Sequence, residues 1–386
     1  MSNHPRASLW VLSFGNFVIG TGTLIIAGLL NEMAAELNTS IAMVGQLLTG
    51  FALAVCFGAP LLAGLTSRFE RRKLLVGALI LFAAGHLLAA LAPNYATLMV
   101  LRIATGFGAA IFTPQAAATA GLLAPVEQRG RAIATVFLGF SVATVLGMPL
   151  GAYMGSTFGW RPALAMVGGL AIICALLLRT QLPSQLAVQP IDAAAWKSVG
   201  RNIGLLLVVG TTVVQASAQF VLFTYIAPVL KEFIAASPST ISLTFMWFGI
   251  CGVLGNSIAG PLIDRIGTAQ VVALSIALML GGFLIWPLIR GSLPLTIVAC
   301  GLWGLGCFAV NSAQQTRLLE LAIRLAPVSI ALNSSGIYLG QAFGAMTGGL
   351  IISQQGSNAL SWVGAILFVL ALAISFAAQN KARPLA

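Results

Sequence analysis

Ala63-Gly64-Leu65-Thr66-Ser67-Arg68-Phe69-Glu70 and Gly260-Pro261-Leu262-Ile263-Asp264-Arg265-Ile266-Gly267 stand 197 positions apart (260 − 63 = 197), each closing an apolar run with a basic loop. A second feature keeps that offset. The small-residue ladder Gly139, Ala143, Gly147 and Gly151 falls on Gly336, Gly340, Gly344 and Gly348. One offset shared by two unrelated features, close to half of the 386 residues, makes the chain a duplicated bundle of membrane helices. Parallel repeats of this kind occur among secondary transporters, with substrate held between the halves.

Composition supports the membrane reading. Hydrophobic residues make up 59% of the chain and charged residues 7%, with mean hydropathy +1.00, a balance that leaves too little polar surface for a soluble domain. Apolar runs of bilayer-crossing length recur throughout. Twelve spans are expected, near 9–30, 43–65, 74–92, 95–115, 131–156, 162–179, 203–227, 240–262, 269–289, 294–316, 328–353 and 358–379. The fold class is therefore all-α, two pseudo-symmetric six-helix bundles. Residues 1–180 form the N-terminal bundle, 181–202 a cytoplasmic linker with a short surface helix over 193–199, and 203–386 the C-terminal bundle. The first run is too long for a cleaved secretory segment and is retained.

The net charge of +11 follows topology. With the N-terminus inside, outer loops hold only Arg161, Lys231 and Arg290 of the 19 basic residues, and Arg102 lies within a span. The other 15 are on the inner side, which puts both termini in the cytoplasm. Nucleic-acid binding is not needed to explain the charge. The five cysteines lie in spans without C-x-x-C or Cys/His ligand spacing, so they are read as packing residues, and no metal is expected. No G-x-x-x-x-G-K-[ST] is present, so no nucleotide or other cofactor is implied. A membrane-embedded enzyme would need a dense group of His, acid or Cys residues, whereas the acids here all lie near span ends or in loops.

Several motifs resemble those of the major facilitator superfamily. The loop after span two, with Arg68, Glu70, Arg71 and Arg72, is similar to its signature G-x-x-x-D-R-x-G-R-[RK], and Gly260, Asp264, Arg265 and Gly267 repeat it. The resemblance implies a cytoplasmic latch between the halves, although Ser67 stands in the first copy's acid position. Span five carries Gly139, Ala143, Gly147, Gly151 and Gly155 at four-residue spacing with Pro149 among them, a face that lets another helix approach closely. Gly147-Met148-Pro149-Leu150-Gly151 also resembles the motif of the superfamily's antiporters. Arg102, Gly106 and Gly108 match its span-four pattern R-x-x-x-G-x-G. Arg102 either faces a cavity or partner, or snorkels outward.

Phe17 to Leu24, Phe223 to Pro228 and Asn311 to Gln315 resemble bacterial sugar-efflux and purine-efflux proteins, a branch of the drug:proton antiporters. Relatives there often carry Glu at the position of Thr23 and His at that of Gln219, so coupling here must use other groups. Glu32, His86 and Arg102 all lie toward the outer side and are the coupling candidates, although a lone helix histidine such as His86 is more often a packing residue than a proton carrier. Cavity-lining, substrate-binding candidates are Asn16, Thr23, Arg102, Gln215, Gln219, Phe220, Tyr225, Asn311, Gln315, Asn333, Tyr338 and Gln341. Amides and aromatics of this kind suit a neutral or mildly amphipathic solute, and the same amides can instead bridge helices. The resemblance implies a monomeric, multi-pass bacterial inner-membrane protein. It would export small organic solutes against protons by alternating access, with membrane lipid around it. A facilitator or a non-transporting solute sensor is the alternative.

Overall fold

Each apolar run is a helix, and polar residues in the connecting segments mark where several begin. Ser40, Asn94, Asn202 and Ser237 each accept a hydrogen bond from a backbone N–H in the following first turn, satisfying donors the helix cannot. The computed structural model describes residues 4–66, 69–125, 128–184, 202–321 and 326–381. The expected surface helix over 193–199, most of the linker, and Ser67 and Arg68 lie outside the described residues.

The first unit, Met1–Pro190, contains α1 (His4–Glu36), α2 (Ile41–Leu65), α3 (Arg71–Ala90), α4 (Tyr95–Leu123), α5 (Arg129–Phe158) and α6 (Trp160–Gln181). The second, Ile191–Ala386, contains α7 (Ile203–Phe223), α8 (Pro238–Ile266), α9 (Thr268–Ile285), α10 (Leu293–Leu321), α11 (Ala326–Gln354) and α12 (Asn358–Lys381). The starts of α2 and α8, α3 and α9, and α5 and α11 are again 197 residues apart. Among the described residues eleven helices are long and apolar enough to cross a membrane. The twelfth, α11, is 29 residues long but is interrupted by Asn333, Ser334, Ser335 and Gln341.

Packing repeats with the sequence. In the first unit α1 packs on α5 and α6, α4 on α2 and α3, and α3 on α6; in the second, α7 packs on α11 and α12, α10 on α8 and α9, and α9 on α12. The small-residue ladders explain the closest pairs. A Cβ added at Gly139 would lie 1.8 Å from the Ser13 carbonyl oxygen, and at Gly147 2.0 Å from Thr21 Oγ1. At Gly340 and Gly344 an added Cβ would lie 2.4 and 2.5 Å from the Val213 and Ser217 carbonyl oxygens. Backbones this close exclude any side chain. Large apolar side chains such as Phe57, Val100 and Ile366 cover the outward faces, as lipid contact requires.

Two local departures from straight helix trace to proline. In α5, residues Ala143–Gly147 form a π-helical segment just before Pro149. The ring at Pro149 cannot continue the ordinary i→i−4 ladder, and Met148 N–H instead reaches back to the Ala143 carbonyl. The corresponding position in α11 is Met346, and α11 is continuous. In the second unit α7 stops at Phe223, four residues short of the expected end, and resumes as Ile226–Ile234. Pro228 explains the break, because its ring conflicts with the carbonyl one turn earlier, at Thr224.

Candidate functional site

Each unit contains a buried polar assembly, and the two differ in charge. In the first, Arg102 on α4 is fully buried among α1, α2 and α3. Its Nη1 donates to the Gly22 carbonyl at 3.1 Å and lies 3.4 Å from His86 Nε2, while its guanidinium carbon sits 4.6 Å from the centre of the Phe51 ring. Its Nε and Nη2 have no hydrogen-bond partner. His86 Nδ1 lies 3.0 Å from the Phe82 carbonyl, which can only accept, so the ring proton resides on Nδ1 and the Nε2 lone pair faces Arg102. Gly22 makes this possible: a Cβ there would lie 2.6 Å from His86 Nε2. Arg102 therefore points inward rather than snorkelling. The structure brings together His86 and Arg102 of the three coupling candidates. Glu32 is half-buried further along α1, one turn before Glu36.

The second unit has an uncharged seam where α7, α10 and α11 meet. Thr212 Oγ1 donates to Asn333 Oδ1 at 2.6 Å, and Gln314 Nε2 donates to the Val208 carbonyl at 3.1 Å and to Thr212 Oγ1 at 3.3 Å. One turn outward along α7 lies Gln215. Beyond it Gln219 Oε1 accepts from the Cys307 thiol at 3.1 Å, and Asn311 Nδ2 donates to the Cys307 carbonyl at 3.3 Å. The seam is undersatisfied: Gln215 Oε1, Asn311 Oδ1, Gln314 Oε1, Ser329 Oγ, Asn333 Nδ2 and Gln341 Nε2 are buried without a protein partner. Stranded polar atoms of this kind each cost about 1–3 kcal/mol, so six amide and hydroxyl atoms along these three helices point to a place where water or solute is received.

Other expected site residues are taken up by packing. Asn16 uses both ends of its amide, donating to the Val136 carbonyl at 3.1 Å and accepting from Thr113 Oγ1 at 3.0 Å. Thr23 donates to the Ile19 carbonyl within its own helix. Tyr225 is fully buried and its hydroxyl donates to the Ala345 carbonyl at 2.8 Å, pinning the break after α7 to α11. Phe220 stacks edge-on against Phe223 at 5.4 Å, at the margin of an aromatic cluster reaching Trp303. Gln315 and Tyr338 are half-buried. In the loop signature, Glu70 is the N-cap of α3, accepting from Arg72 N–H at 3.2 Å. Arg71 is buried and donates to Gln115, whereas Asp264 and Arg265 are exposed at the end of α8.

Sequence reading singled out Gln315 and passed over its neighbour Gln314. Helical phase would have chosen correctly, since Cys307, Val310, Gln314, Arg317 and Leu321 share the buried face of α10. It also missed two clasps at the ends of the units opposite the loop signatures. Arg161 donates to Glu36 at 2.7 Å and to the Ala90 and Ala92 carbonyls at 2.9 Å. Arg290 donates to Glu232 at 3.2 Å and to Asn358 at 3.0 Å, and the two acids lie one residue off the 197-residue repeat.

The model of the Major Facilitator Superfamily matches residues 12–232 and 207–385. The chain belongs to that superfamily. It is 32% identical to the inner membrane transport protein YdhP of Escherichia coli (strain K12), covering 98% of this chain and 97% of the relative. It is also 30% identical to a probable sugar efflux transporter of Helicobacter pylori (strain G27), covering 94% and 93%. Among solved structures, a D-xylose-proton symporter superposes with a TM-score of 0.81 at 18% identity over 99% of each chain. A bacterial homolog of the human lysosomal transporter Spinster, inward-facing, gives 0.78, also at 18%, over 99% of this chain and 98% of that one. The protein is a multi-pass membrane transporter with the twelve-helix major facilitator fold, a superfamily of transporters rather than enzymes that takes small molecules as substrates.

Proposed function

We propose that the protein exports small organic solutes in exchange for protons by alternating access, as a monomer in the bacterial inner membrane with both termini in the cytoplasm. Export is favoured by its likeness to a relative named as a probable sugar efflux transporter and by the Gly147–Gly151 motif on α5. Orientation rests on the basic loops. The observation that carries proton coupling is the His86–Arg102 contact. With its proton on Nδ1, neutral His86 offers a lone pair to Arg102; a second ring proton would remove that acceptor, and two cations would oppose each other in a low-dielectric interior. Phe82, Gly22 and Arg102 are the described groups touching the ring, and Arg102 alone among them is charged. Proton binding at His86 would thus shift Arg102, an event readable by the surrounding helices.

The experiment is flux of a labelled solute from proteoliposomes across an imposed pH gradient. Wild-type flux is expected to follow the gradient, and His86→Gln, which keeps an acceptor but cannot titrate, is expected to flatten that dependence. Wild-type flux indifferent to the gradient would make the protein a facilitator or a carrier coupled to another ion.

A further inference from the structure

We propose that the open edge of Arg102 is a docking site for an organic carboxylate, so that the exported solutes include small organic acids. This rests on the exporter reading and names its substrate class. An arginine presents two pairs of parallel N–H groups, and the Nε/Nη2 pair along one side matches the two oxygens of a carboxylate. In this protein Nη1 is occupied by the Gly22 carbonyl and His86, whereas Nε and Nη2, the complete side-on pair, are free and buried. Phe51 packs over the guanidinium and the Gly22 carbonyl holds Nη1, so the fork is held in one orientation.

The charge balance of the interior points the same way. Among the described residues the buried basic side chains are Arg71, His86, Arg102 and Arg317, and no Asp or Glu is buried beside them. Arg71 donates to Gln115 with one atom, Nε, left over, and Arg317 donates twice to Ser375; Arg102 has two atoms left over, and they form a side-on pair. Arg102 is left with a cation's desolvation penalty and no anion to offset it, a condition that is costly inside a membrane unless a counter-charge visits. A neutral solute would not supply one, and a cationic solute would add repulsion. In the state described both atoms are fully buried, so a carboxylate reaches them in another state of the transport cycle.

Coupling tests the relation between this site and exchange for protons. Coulomb attraction alone makes an anion on Arg102 and a proton on His86 favour each other. Antiport therefore requires that protonated His86 push Arg102 out of its docking orientation, so that anion and proton exclude one another.

The experiment is a thermal-shift titration of the purified full-length protein with three series, each an acid, its amide and its amine: acetate, acetamide and ethylammonium; benzoate, benzamide and benzylammonium; indole-3-acetate, indole-3-acetamide and tryptammonium. At least one acid is expected to bind roughly tenfold tighter than its amide, with the amine weakest. Arg102→Lys, which keeps the charge but not the fork, should abolish that preference. Equal binding of acids and amides, or no acid binding in any series, overturns the proposal on the wild type alone, whatever the variant does; an acid preference surviving in Arg102→Lys overturns it as well. Repeating the wild-type titration from pH 8 to pH 6 separates the two readings. Weaker acid binding at low pH supports both, whereas an acid preference that strengthens at low pH keeps the docking site and sinks proton antiport.

Discussion

The first unit has an arginine at a place where the second has none, although both descend from one repeat and pack their helices in the same pairs. Arg102 in α4 corresponds to Ala299 in α10, and His86 in α3 to Phe283 in α9. In the second unit that place is filled by aromatic packing, with Phe283 4.9 Å from Trp303 and 4.9 Å from Phe368. Its polar residues lie instead along α7, α10 and α11, as amides and hydroxyls. The lesson is that duplication preserves backbone contacts, which small residues dictate, and leaves the polar interior free to diverge. One unit is suited to sensing charge, the other to reading hydrogen-bond pattern.

The contrast can be broken at its shared foundation first. Gly139→Leu and Gly340→Leu should each prevent a folded, monodisperse protein, because a Cβ would meet backbone at 1.8 and 2.4 Å. Gly77→Leu, with open space around it, should express normally. Size-exclusion profiles of the three distinguish packing from general sensitivity to leucine. Next in size is Arg102→Ala, expected to lower solute flux at least tenfold; because the side chain also packs on Phe51 and bonds the Gly22 carbonyl, the same size-exclusion profile checks that the loss is not one of folding. Gln314→Leu should act more mildly, raising KM several-fold with little change in kcat, as loss of a solute contact would. A larger effect of Gln314→Leu than of Arg102→Ala would reverse the assignment of roles. Smallest is Tyr225→Phe, which removes one buried hydrogen bond to Ala345 and should lower stability by about 1 kcal/mol, seen as a lower Tm with transport retained.

The architecture was legible because its determinants are repetitive and local: apolar runs set the helices, basic loops mark their ends, and the four-residue glycine spacing names the helix pairs. The two proline effects were half legible. Pro149 stood in the middle of a span without revealing its π-helical form, and Pro228 stood just past the expected end at 227, whereas its effect falls on Thr224, one turn earlier. The site was harder. Arg102 and His86 stood out as rare ionisable groups in spans, yet nothing in their spacing says that Gly22 brings them together. Among the amides, residue type alone cannot tell Asn16, both of whose polar atoms are satisfied, from Asn333, one of whose is not. That distinction depends on partners 97 to 121 residues away.

The π-helical segment of α5 has a further consequence, best put in terms of phase. A four-residue step overshoots one helical turn by about 40°, so the four steps from Gly139 to Gly155 would carry the last glycine roughly 160° around the helix, away from α1. The wider turn at Ala143–Gly147 takes back roughly 100° of that drift. Gly155 consequently still meets α1, where an added Cβ would lie 1.9 Å from Leu29 Cδ2. In α11, which has no such correction, the glycines end one step sooner, at Gly348, and Ile352 occupies the place of the fifth. The proline thus works as a vernier: it resets the angular count midway along α5, and one line of contact with α1 runs a full turn longer than its twin in the other unit.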